Sequence, residues 1–367
     1  MGKLAIVTFC KADNFGAMLQ CYALQELLKN ESYQVDILDI NDTAIEDNYK
    51  LFFGVSIKNI GRTLTVFANL VDRYKRRVAF NNFRLSNLRI QRVDSSKTRY
   101  YDCVIFGSDQ IWNFDITGQS KLSYLGDIPG ILANKKISYA ASIGKSALNS
   151  KELAVFSDKL KQFDKISVRE DQARNCLSQV LDVPIEVNID PVFLLDVKYW
   201  KSLSKQGKRL SNKDYILVYA INDDDKVLQM AKSISNLTNI PIIEISNKDK
   251  SVIHRAEHQI VNSVGPESFL KAIDEAKYIV TSSFHATALS IIFEKSFYTI
   301  AHSVTGSRTY SLLNKLNLLN HYSDRGIDID CLEEIDYTAV RIAINNERDS
   351  ALKYLRDAFA DIKEDNL

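Results

Sequence analysis

The sequence predicts an α/β protein with two Rossmann-like, doubly wound domains facing a cleft, and three observations support this fold class. The chain of 367 residues is long enough for two domains, at roughly 150 residues per domain. Strand-like and helix-like segments alternate along most of it, which is typical of parallel sheets. Polar loops follow the strands, where ligands of such sheets bind. We expect an N-terminal domain at 1–200, a C-terminal domain at 201–340 and a helix at 341–367 that packs back on the body.

The N-terminal segment contains the first strand–helix–strand unit. KLAIVTFC (3–10) is a run of apolar and β-branched residues typical of a buried strand. A polar turn, KADNFG (11–16), precedes a helix, and YQVDILDI (33–40) is the second strand. This spacing indicates a βαβ unit with a parallel sheet.

The same alternation continues to the C-terminus. The polar stretch LSKQGKRLSNKD (203–214) is the candidate linker. A helix is predicted from Pro266, a residue that suits the first helical turn, and an amphipathic helix at about 338–364. Further strands are predicted at DCVIF (102–106), KISYAA (136–141), KISV (165–168), IEVNID (185–190), DYILVYAIN (214–222), IPIIEIS (240–246), YIVT (278–281) and SFYTIA (296–301).

Composition and charge narrow the functional class. Lys plus Arg (47) nearly equals Asp plus Glu (46), so no overall electrostatic field favours nucleic acid as a partner.

The five cysteines form no C-x-x-C pair, which argues against a zinc ribbon or a disulfide framework. Cys10, Cys21 and Cys103 lie in apolar surroundings and are expected to be buried free thiols, as in a reducing compartment. Without a signal-like or membrane-spanning run, a cytoplasmic protein is expected.

Five polar loops at predicted strand ends or helix starts are the candidate ligand-binding segments. They are GSDQIWN (107–113), ASIGKS (141–146), SVREDQA (167–173), TSSFHA (281–286) and SRTYSLL (307–313). The loop containing Asn14, Phe15 and Gly16 lacks the G-x-G-x-x-G pattern, which argues against a dinucleotide site. His285 either packs at an ordinary helix start or transfers protons in an active site.

The order of these motifs resembles the polysaccharide pyruvyl transferase family. The resemblance covers most of the chain apart from about 41–100 and the C-terminus. It is carried by NFGAMLQCYALQELL (14–28), DCVIFGSDQIWN (102–113), YAASIG (139–144), SVREDQA (167–173), DPVFLL (190–195), GPESFLKAIDEAKYIVTSSFHATALSIIF (265–293) and R-x-x-x-LL (308–313).

The resemblance implies a fold like that of GT-B glycosyltransferases. It also implies transfer of pyruvate from phosphoenolpyruvate to two sugar hydroxyls as a cyclic ketal, with release of phosphate. The family's functional histidine and arginine correspond to His285 and Arg169, and a later cation corresponds to Arg308. No cofactor is expected besides the donor substrate. Predicted substrate-binding residues are Asn14, Phe15, Gly16, Ser108, Asp109, Gln110, Asn113, Ser142, Gly144, Ser282, Ser283 and Ala286.

Two positions depart from the family pattern. Some members have Arg-Leu-His where this chain has Ser283-Phe284-His285, so another residue must supply that arginine's contact with an anion. Many members have glycine where this chain has Ala286. The departures affect the details of donor binding more than the reaction class.

The residue types also suit this chemistry independently. Arginine forks and helix N-termini bind carboxylate and phosphate groups. A histidine can protonate the methylene carbon of the donor or take the proton of a sugar hydroxyl, and both roles stay open for His285. Our hypothesis is that His285 becomes an effective acid only when the donor is bound.

Two other classes of function share this fold. A GT-B glycosyltransferase that uses a nucleotide-sugar would release a nucleotide instead of phosphate. A non-catalytic sugar-binding protein would release neither. Our first expectation is a bacterial enzyme acting on a sugar, of galactose type, in a capsular or exopolysaccharide precursor, with a sugar or lipid-linked oligosaccharide as acceptor.

Two further motifs also have simpler explanations. HRAEH (254–258) fits the H-x-x-E-H zinc pattern, but its surroundings do not predict a long helix, so no metal site is expected. The segment at 73–92 has seven Lys or Arg and no acid. It is either a solvated helix face or a contact with the inner face of an anionic plasma membrane, in which Arg76 and Arg77 take part.

Overall fold

A computed structural model describes residues 2–42, 60–221, 225–246, 258–301, 306–324 and 332–364. The chain divides into two compact units. Unit 1 comprises the described residues within Met1–Tyr49, Arg84–Leu195 and Arg341–Leu367, and unit 2 comprises those within Lys50–Phe83 and Asp196–Val340. The main change of unit falls between residues 195 and 196, so the candidate linker at 203–214 lies inside unit 2 and does not join the units. Part of the long helix before residue 84 groups with the C-terminal unit.

Unit 1 contains a five-stranded parallel sheet in the order β3-β2-β1-β4-β5. This order is typical of Rossmann-like folds, in which the chain reverses direction across the sheet between the first and fourth strands. Its strands are β1 (Lys3–Val7), β2 (Gln34–Asp39), β3 (Ile90–Arg92), β4 (Arg99–Phe106) and β5 (Ile131–Ser138).

Helices and a two-stranded sheet complete unit 1. Helix α1 (Phe15–Asn30) begins where Asn14 accepts a hydrogen bond from the backbone of Ala17, and most of its side chains are buried. The two-stranded parallel sheet of β6 (Ile166–Val168) and β7 (Ile185–Val187) follows β5 through isolated bridges. The other helices up to residue 177 are α2 (Ile60–Asn87), α3 (Phe114–Thr117), α4 (Ser150–Lys159) and α5 (Asp171–Leu177).

Unit 2 contains a six-stranded parallel sheet in the order β10-β9-β8-β11-β12-β13. Counted within the unit, this is again the order 3-2-1-4-5-6 of Rossmann folds. Its strands are β8 (Ile216–Tyr219), β9 (Ile242–Ile245), β10 (Gln259–Val261), β11 (Tyr278–Thr281), β12 (Ser296–Ile300) and β13 (Tyr322–Ser323). Its helices are α6 (Val197–Ser204), α7 (Asp225–Thr238), α8 (Pro266–Glu275), α9 (Phe284–Ile292) and α10 (Gly306–Lys315).

The predicted C-terminal helix is present as α11 (Tyr337–Ala358) and α12 (Ala360–Glu364). From residue 341 onward these helices belong to unit 1. Tyr354 is 2% exposed and donates its hydroxyl hydrogen to the carbonyl of Ser138, 2.7 Å away at the end of β5. Arg348 donates from Nε to the carbonyl of Phe193 at 2.7 Å. These contacts attach the C-terminus to the N-terminal sheet, as expected for a helix that packs back.

Among the described helices, none is long and apolar enough to cross a membrane. Cys10, Cys21 and Cys103 are buried free thiols, as predicted. Burial raises the pKa of Cys10 to about 12, so its thiol stays protonated and unreactive at neutral pH.

Candidate functional site

In each main sheet, some of the predicted polar loops lie at the point where the strand order reverses. In unit 1 this point lies between β1 and β4, which precede Asn14 and the loop Gly107–Asn113. In unit 2 it lies between β8 and β11, and β11 leads directly into Ser282, Ser283 and His285. Ligands of open α/β sheets bind in the crevice at such switch points. Each unit therefore contributes its own candidate ligand-binding loops.

In unit 2, the hydroxyl residues after β11 fix the start of α9. Ser283 is the N-cap of this helix, and its Oγ accepts from the backbone N–H of Ala286 at 3.4 Å. Thr281 Oγ1 accepts from the N–H of Ser283 at 3.0 Å, and it donates to the carbonyl of Tyr219 on β8. Ser282 Oγ accepts from the N–H of Ile221 at 3.3 Å. The two serines thus have structural roles, and donor binding by them stays a prediction.

His285 and Arg308 both lie next to the aromatic ring of Phe284. The imidazole of His285 meets the Phe284 ring edge-on, with the ring centroids 5.2 Å apart. The Arg308 guanidinium carbon is 6.0 Å from the centroid of the same ring. His285 is 8% exposed and Arg308 is 6% exposed. The structure therefore brings a histidine and a cation to the same aromatic ring at the start of α9.

In unit 1, the loop Gly107–Asn113 is almost wholly buried and held by its own polar groups. Asp109 adopts a left-handed backbone with φ 65°, and its carboxylate accepts from the N–H of Gln110 at 2.9 Å. Trp112 is fully buried, and its indole N–H donates to the carbonyl of Tyr124 at 3.1 Å. Asn113 caps the short helix α3 by accepting from the N–H of Asp115 at 3.1 Å. The polar groups of this loop are therefore held in place by burial and by hydrogen bonds.

The segment after β5 packs directly against this loop. The N–H of Ser142 donates to the carbonyl of Asp109 at 3.0 Å, and the carbonyl of Ser142 accepts from the N–H of Trp112 at 3.2 Å. Gly144 has φ 66°, and its N–H donates to Ser142 Oγ at 3.1 Å. Backbone hydrogen bonds therefore join this segment to the loop Gly107–Asn113.

Replacing Gly144 should disturb this cluster without changing any charge. A Cβ on Gly144 would lie 2.0 Å from Oε1 of Gln110 and 2.8 Å from Nδ2 of Asn113, and its φ disfavours a side chain. We expect Gly144→Ala to lower the free energy of unfolding by about 1–3 kcal/mol and to displace Gln110. Chemical denaturation measures the loss. Gly126→Ala is the control, because its φ is also positive but its nearest contact is the side chain of Gln162 at 3.2 Å. Equal losses of stability in Gly144→Ala and Gly126→Ala would contradict the role of crowding at Gly144.

Arg169 is buried inside unit 1 and is joined to the loop through Asp190. Its NH1 donates to Asp190 Oδ2 at 2.6 Å, and its Nε donates to Glu170 Oε1 at 3.1 Å. Ser108 Oγ donates to the same Asp190 Oδ2 at 3.1 Å. Burial lowers the pKa of Arg169, but the carboxylates of Glu170, Asp190 and Asp109 together raise it above its ordinary value. The guanidinium is therefore always charged, and it neutralises part of a buried acidic cluster.

A chain of hydrogen bonds extends this network to β1 and α1. Ser108 accepts through its carbonyl from Thr8 Oγ1 at 3.2 Å. Thr8 Oγ1 in turn accepts from Nε2 of Gln20 at 2.8 Å. The network thus connects the carboxyl ends of β1, β4 and β6. In contrast, Asn14 caps α1, and Phe15 and Gly16 are buried in its first turn. Their substrate contact stays a prediction.

Three residues of this arrangement were not predicted as site residues. Asp190 and Glu170 are the partners of Arg169, and the Phe284 ring lies next to both His285 and Arg308. Asp190 carries a sequence signal, because an acid before Pro191 at the end of a strand-like run is typical of a capped turn. Phe284 carries none, since its contact with Arg308 forms only in the folded chain.

The H-x-x-E-H segment lies mostly outside the described residues, which include only His258. The ring Nε2 of His258 lies 2.7 Å from Oε2 of Glu244, and both side chains are buried. Among the residues that the structure describes, no group of three or more His, Cys, Asp or Glu is placed to hold a metal ion. His258 is thus partnered by a carboxylate of the neighbouring strand.

Two Rossmann-like units with polar loops at their switch points define an α/β protein of the GT-B type. Solved structures share this fold. A UDP-N-acetylglucosamine 2-epimerase from Rickettsia bellii has a TM-score of 0.51 and 12% identity, with 99% of this chain and 97% of that chain covered. A Listeria monocytogenes protein assigned the same activity has a TM-score of 0.50 and 10% identity, with the same coverage of 99% and 97%. At these identities the likeness concerns the fold alone.

The family is shown by the sequence itself. The model of the polysaccharide pyruvyl transferase family matches residues 14–304. The chain belongs to this family. The comparison with curated proteins found no match. The matched range contains Arg169, His285 and the loop Gly107–Asn113, whereas Arg308 lies just beyond it.

Proposed function

We propose that this protein transfers pyruvate from phosphoenolpyruvate to two hydroxyls of one sugar, forming a cyclic ketal and releasing phosphate. The family match over residues 14–304 carries this proposal. The proposed acceptor is a galactose-type residue of a capsular or exopolysaccharide precursor, as a free sugar or a lipid-linked oligosaccharide. Buried free thiols suit an enzyme working in the cytoplasm.

The start of α9 and the adjacent cation suit the donor. Phosphoenolpyruvate carries a carboxylate and a phosphate, both of which bind helix N-termini and arginine. Arg308 lies in the first turn of α10 and over the Phe284 ring. In this proposal Arg308 supplies the anion contact that some relatives obtain from an arginine two residues before the histidine, where this chain has Ser283.

His285 is the proposed proton-transfer group. Protonation of the donor's methylene carbon makes it a methyl group and leaves a cation at the enol carbon. A sugar hydroxyl attacks this carbon and loses its proton, and the C–O bond to phosphate then breaks. The second hydroxyl attacks the same carbon, loses its proton and closes the ring. A histidine at this place can deliver the first proton or accept one from a hydroxyl.

Arg169 has a different environment from Arg308. Its guanidinium is engaged by Asp190 and Glu170, and Asp190 also binds Ser108. In this proposal Arg169 contributes positive charge and holds the loop Gly107–Asn113 in place, which positions Asp109 and Gln110 for the substrates.

Incubation with phosphoenolpyruvate and a series of galactosides tests the proposal. We expect phosphate release that requires the acceptor, together with a product heavier by one pyruvate ketal. Phosphate assay and mass spectrometry measure the two. Consumption of a nucleotide-sugar without use of phosphoenolpyruvate would instead identify a glycosyltransferase. Binding of sugar with neither reaction would identify a non-catalytic protein.

A further inference from the structure

The long helix α2 exposes an apolar row that its charge pattern alone does not reveal. Val71 is 61% exposed, Tyr74 is 60% exposed and Val78 is 37% exposed. Their spacing of three and four residues places them on one face of the helix. On another side, Phe80 and Phe83 are fully buried. The apolar row is therefore a second hydrophobic surface of a helix that is already anchored in the protein.

Cations flank this row on both sides. Lys75 and Arg77 are exposed, and helical geometry places them on opposite sides of the row. Arg76 instead lies over the Phe80 ring at 5.1 Å and contributes to anchoring the helix. Asp72, the nearest acid in sequence, is half-buried and points away from the row. The face formed by Val71, Tyr74, Lys75, Arg77 and Val78 is thus apolar along its centre and positive along its edges.

We propose that this face rests on an anionic lipid surface. Apolar side chains and a tyrosine ring insert at the boundary between headgroups and acyl chains, and flanking cations attract anionic lipids. Each part of the face has a partner in such a surface. The contact is peripheral and reversible, because three side chains bury too little apolar area for permanent insertion.

A second copy of this chain fits the face less well. A two-fold dimer through the apolar row would bring the Lys75 and Arg77 of one copy close to the same cations of the other. Like charges in close opposition destabilise an interface. The absence of acids from 73–92 leaves no partner within the segment to compensate them. Charge complementarity therefore favours lipid over self-association.

Sedimentation of the full chain with vesicles tests this inference independently of the proposed reaction. We expect binding to vesicles of equal parts phosphatidylcholine and phosphatidylglycerol, and little to phosphatidylcholine alone. Lys75→Gln with Arg77→Gln should weaken binding about tenfold or more, and Tyr74→Ser should weaken it several-fold. Raised salt should act like the charge variant.

The matched control is Lys97→Gln with Lys353→Gln, which removes two positive charges from side chains that are 74% and 75% exposed. We expect this variant to bind like the wild type. Equal weakening in both pairs would show a non-specific charge effect and overturn the inference, as would wild-type protein that ignores anionic vesicles. A concentration-dependent dimer abolished by Tyr74→Ser would identify a second copy as the occupant instead.

Discussion

His285→Ala is expected to lower ketal formation by about 10²–10⁴-fold while leaving the fold intact, because it removes the proposed proton-transfer group. His285 lies in the first turn of α9, and the cap of this helix comes from Ser283 and not from the imidazole. Removing the ring therefore leaves the helix start in place. Turnover of phosphoenolpyruvate under saturating acceptor measures the loss, and thermal unfolding checks the fold.

Two further variants separate proton transfer from packing. His285→Gln keeps a polar side chain of similar length beside Phe284 but cannot act as an acid at neutral pH, so we expect it to be as inactive as the alanine variant. His321→Asn is the control in the same unit. His321 is 2% exposed, its ring packs against Phe297 and Tyr298, and burial lowers its pKa. We expect this variant to lose stability but to keep its turnover per folded molecule. Full activity in His285→Gln would disprove the proton-transfer role.

The pH dependence offers an independent check of the same step. If His285 delivers the first proton, turnover should fall on the alkaline side of the pH profile. If it accepts a hydroxyl proton, turnover should fall on the acidic side. His285→Gln should remove the decline in turnover on whichever side of the pH profile the wild type shows it. A decline that persists in the variant belongs to another group.

Much of the fold was predictable because parallel strands that are buried on both faces leave a strong signal. YIVT and DCVIF are continuous apolar or β-branched runs followed by polar residues, and both are strands that end at a switch point. The order of the strands in each sheet was harder to predict from the sequence. Nothing in a local segment specifies that β4 pairs with β1, a contact that closes a loop of about a hundred residues.

The sequence indicates candidate site residues, but it does not indicate the contacts that connect them. Hydroxyl and amide residues after strands indicate a switch-point loop, and the histidine stands out among them. The partners of Arg169 depend on tertiary packing. Glu170 is its neighbour in sequence, but Asp190 is brought to it only because β6 and β7 pair in parallel. A charged residue's role as ligand or as anchor therefore cannot be assigned from its own loop alone.

The same reasoning applies to the basic segment at 73–92. Its seven cations look equivalent in the sequence, yet they do different things in the folded chain. Arg84 is buried and donates to Asp13 at 2.6 Å, and Arg89 pairs with Asp36 at 2.7 Å. Lys75 and Arg77 are exposed. Net charge over a segment thus overstates the charge available to a partner, because burial and ion pairing engage some of its cations within the protein.

Asp190→Ala is expected to lower the free energy of unfolding by about 3–5 kcal/mol, because it leaves a buried guanidinium with too little compensating charge. The side chains of Asp190 and Arg169 are 0% and 3% exposed, and Ser108 loses its acceptor in the same substitution. Urea denaturation measures the change. Asp361→Ala is the matched control: its ion pair with Lys135 has a similar length of 2.7 Å, but its side chain is 73% exposed. We expect Asp361→Ala to lower the free energy of unfolding by less than about 1 kcal/mol.

The double variant Arg169→Met with Asp190→Ala should recover part of the stability lost in Asp190→Ala, because it removes the unpaired charge together with its partner. A double variant that is as unstable as the sum of both single variants would show that packing, not charge, holds Arg169 and Asp190 beneath the loop Gly107–Asn113.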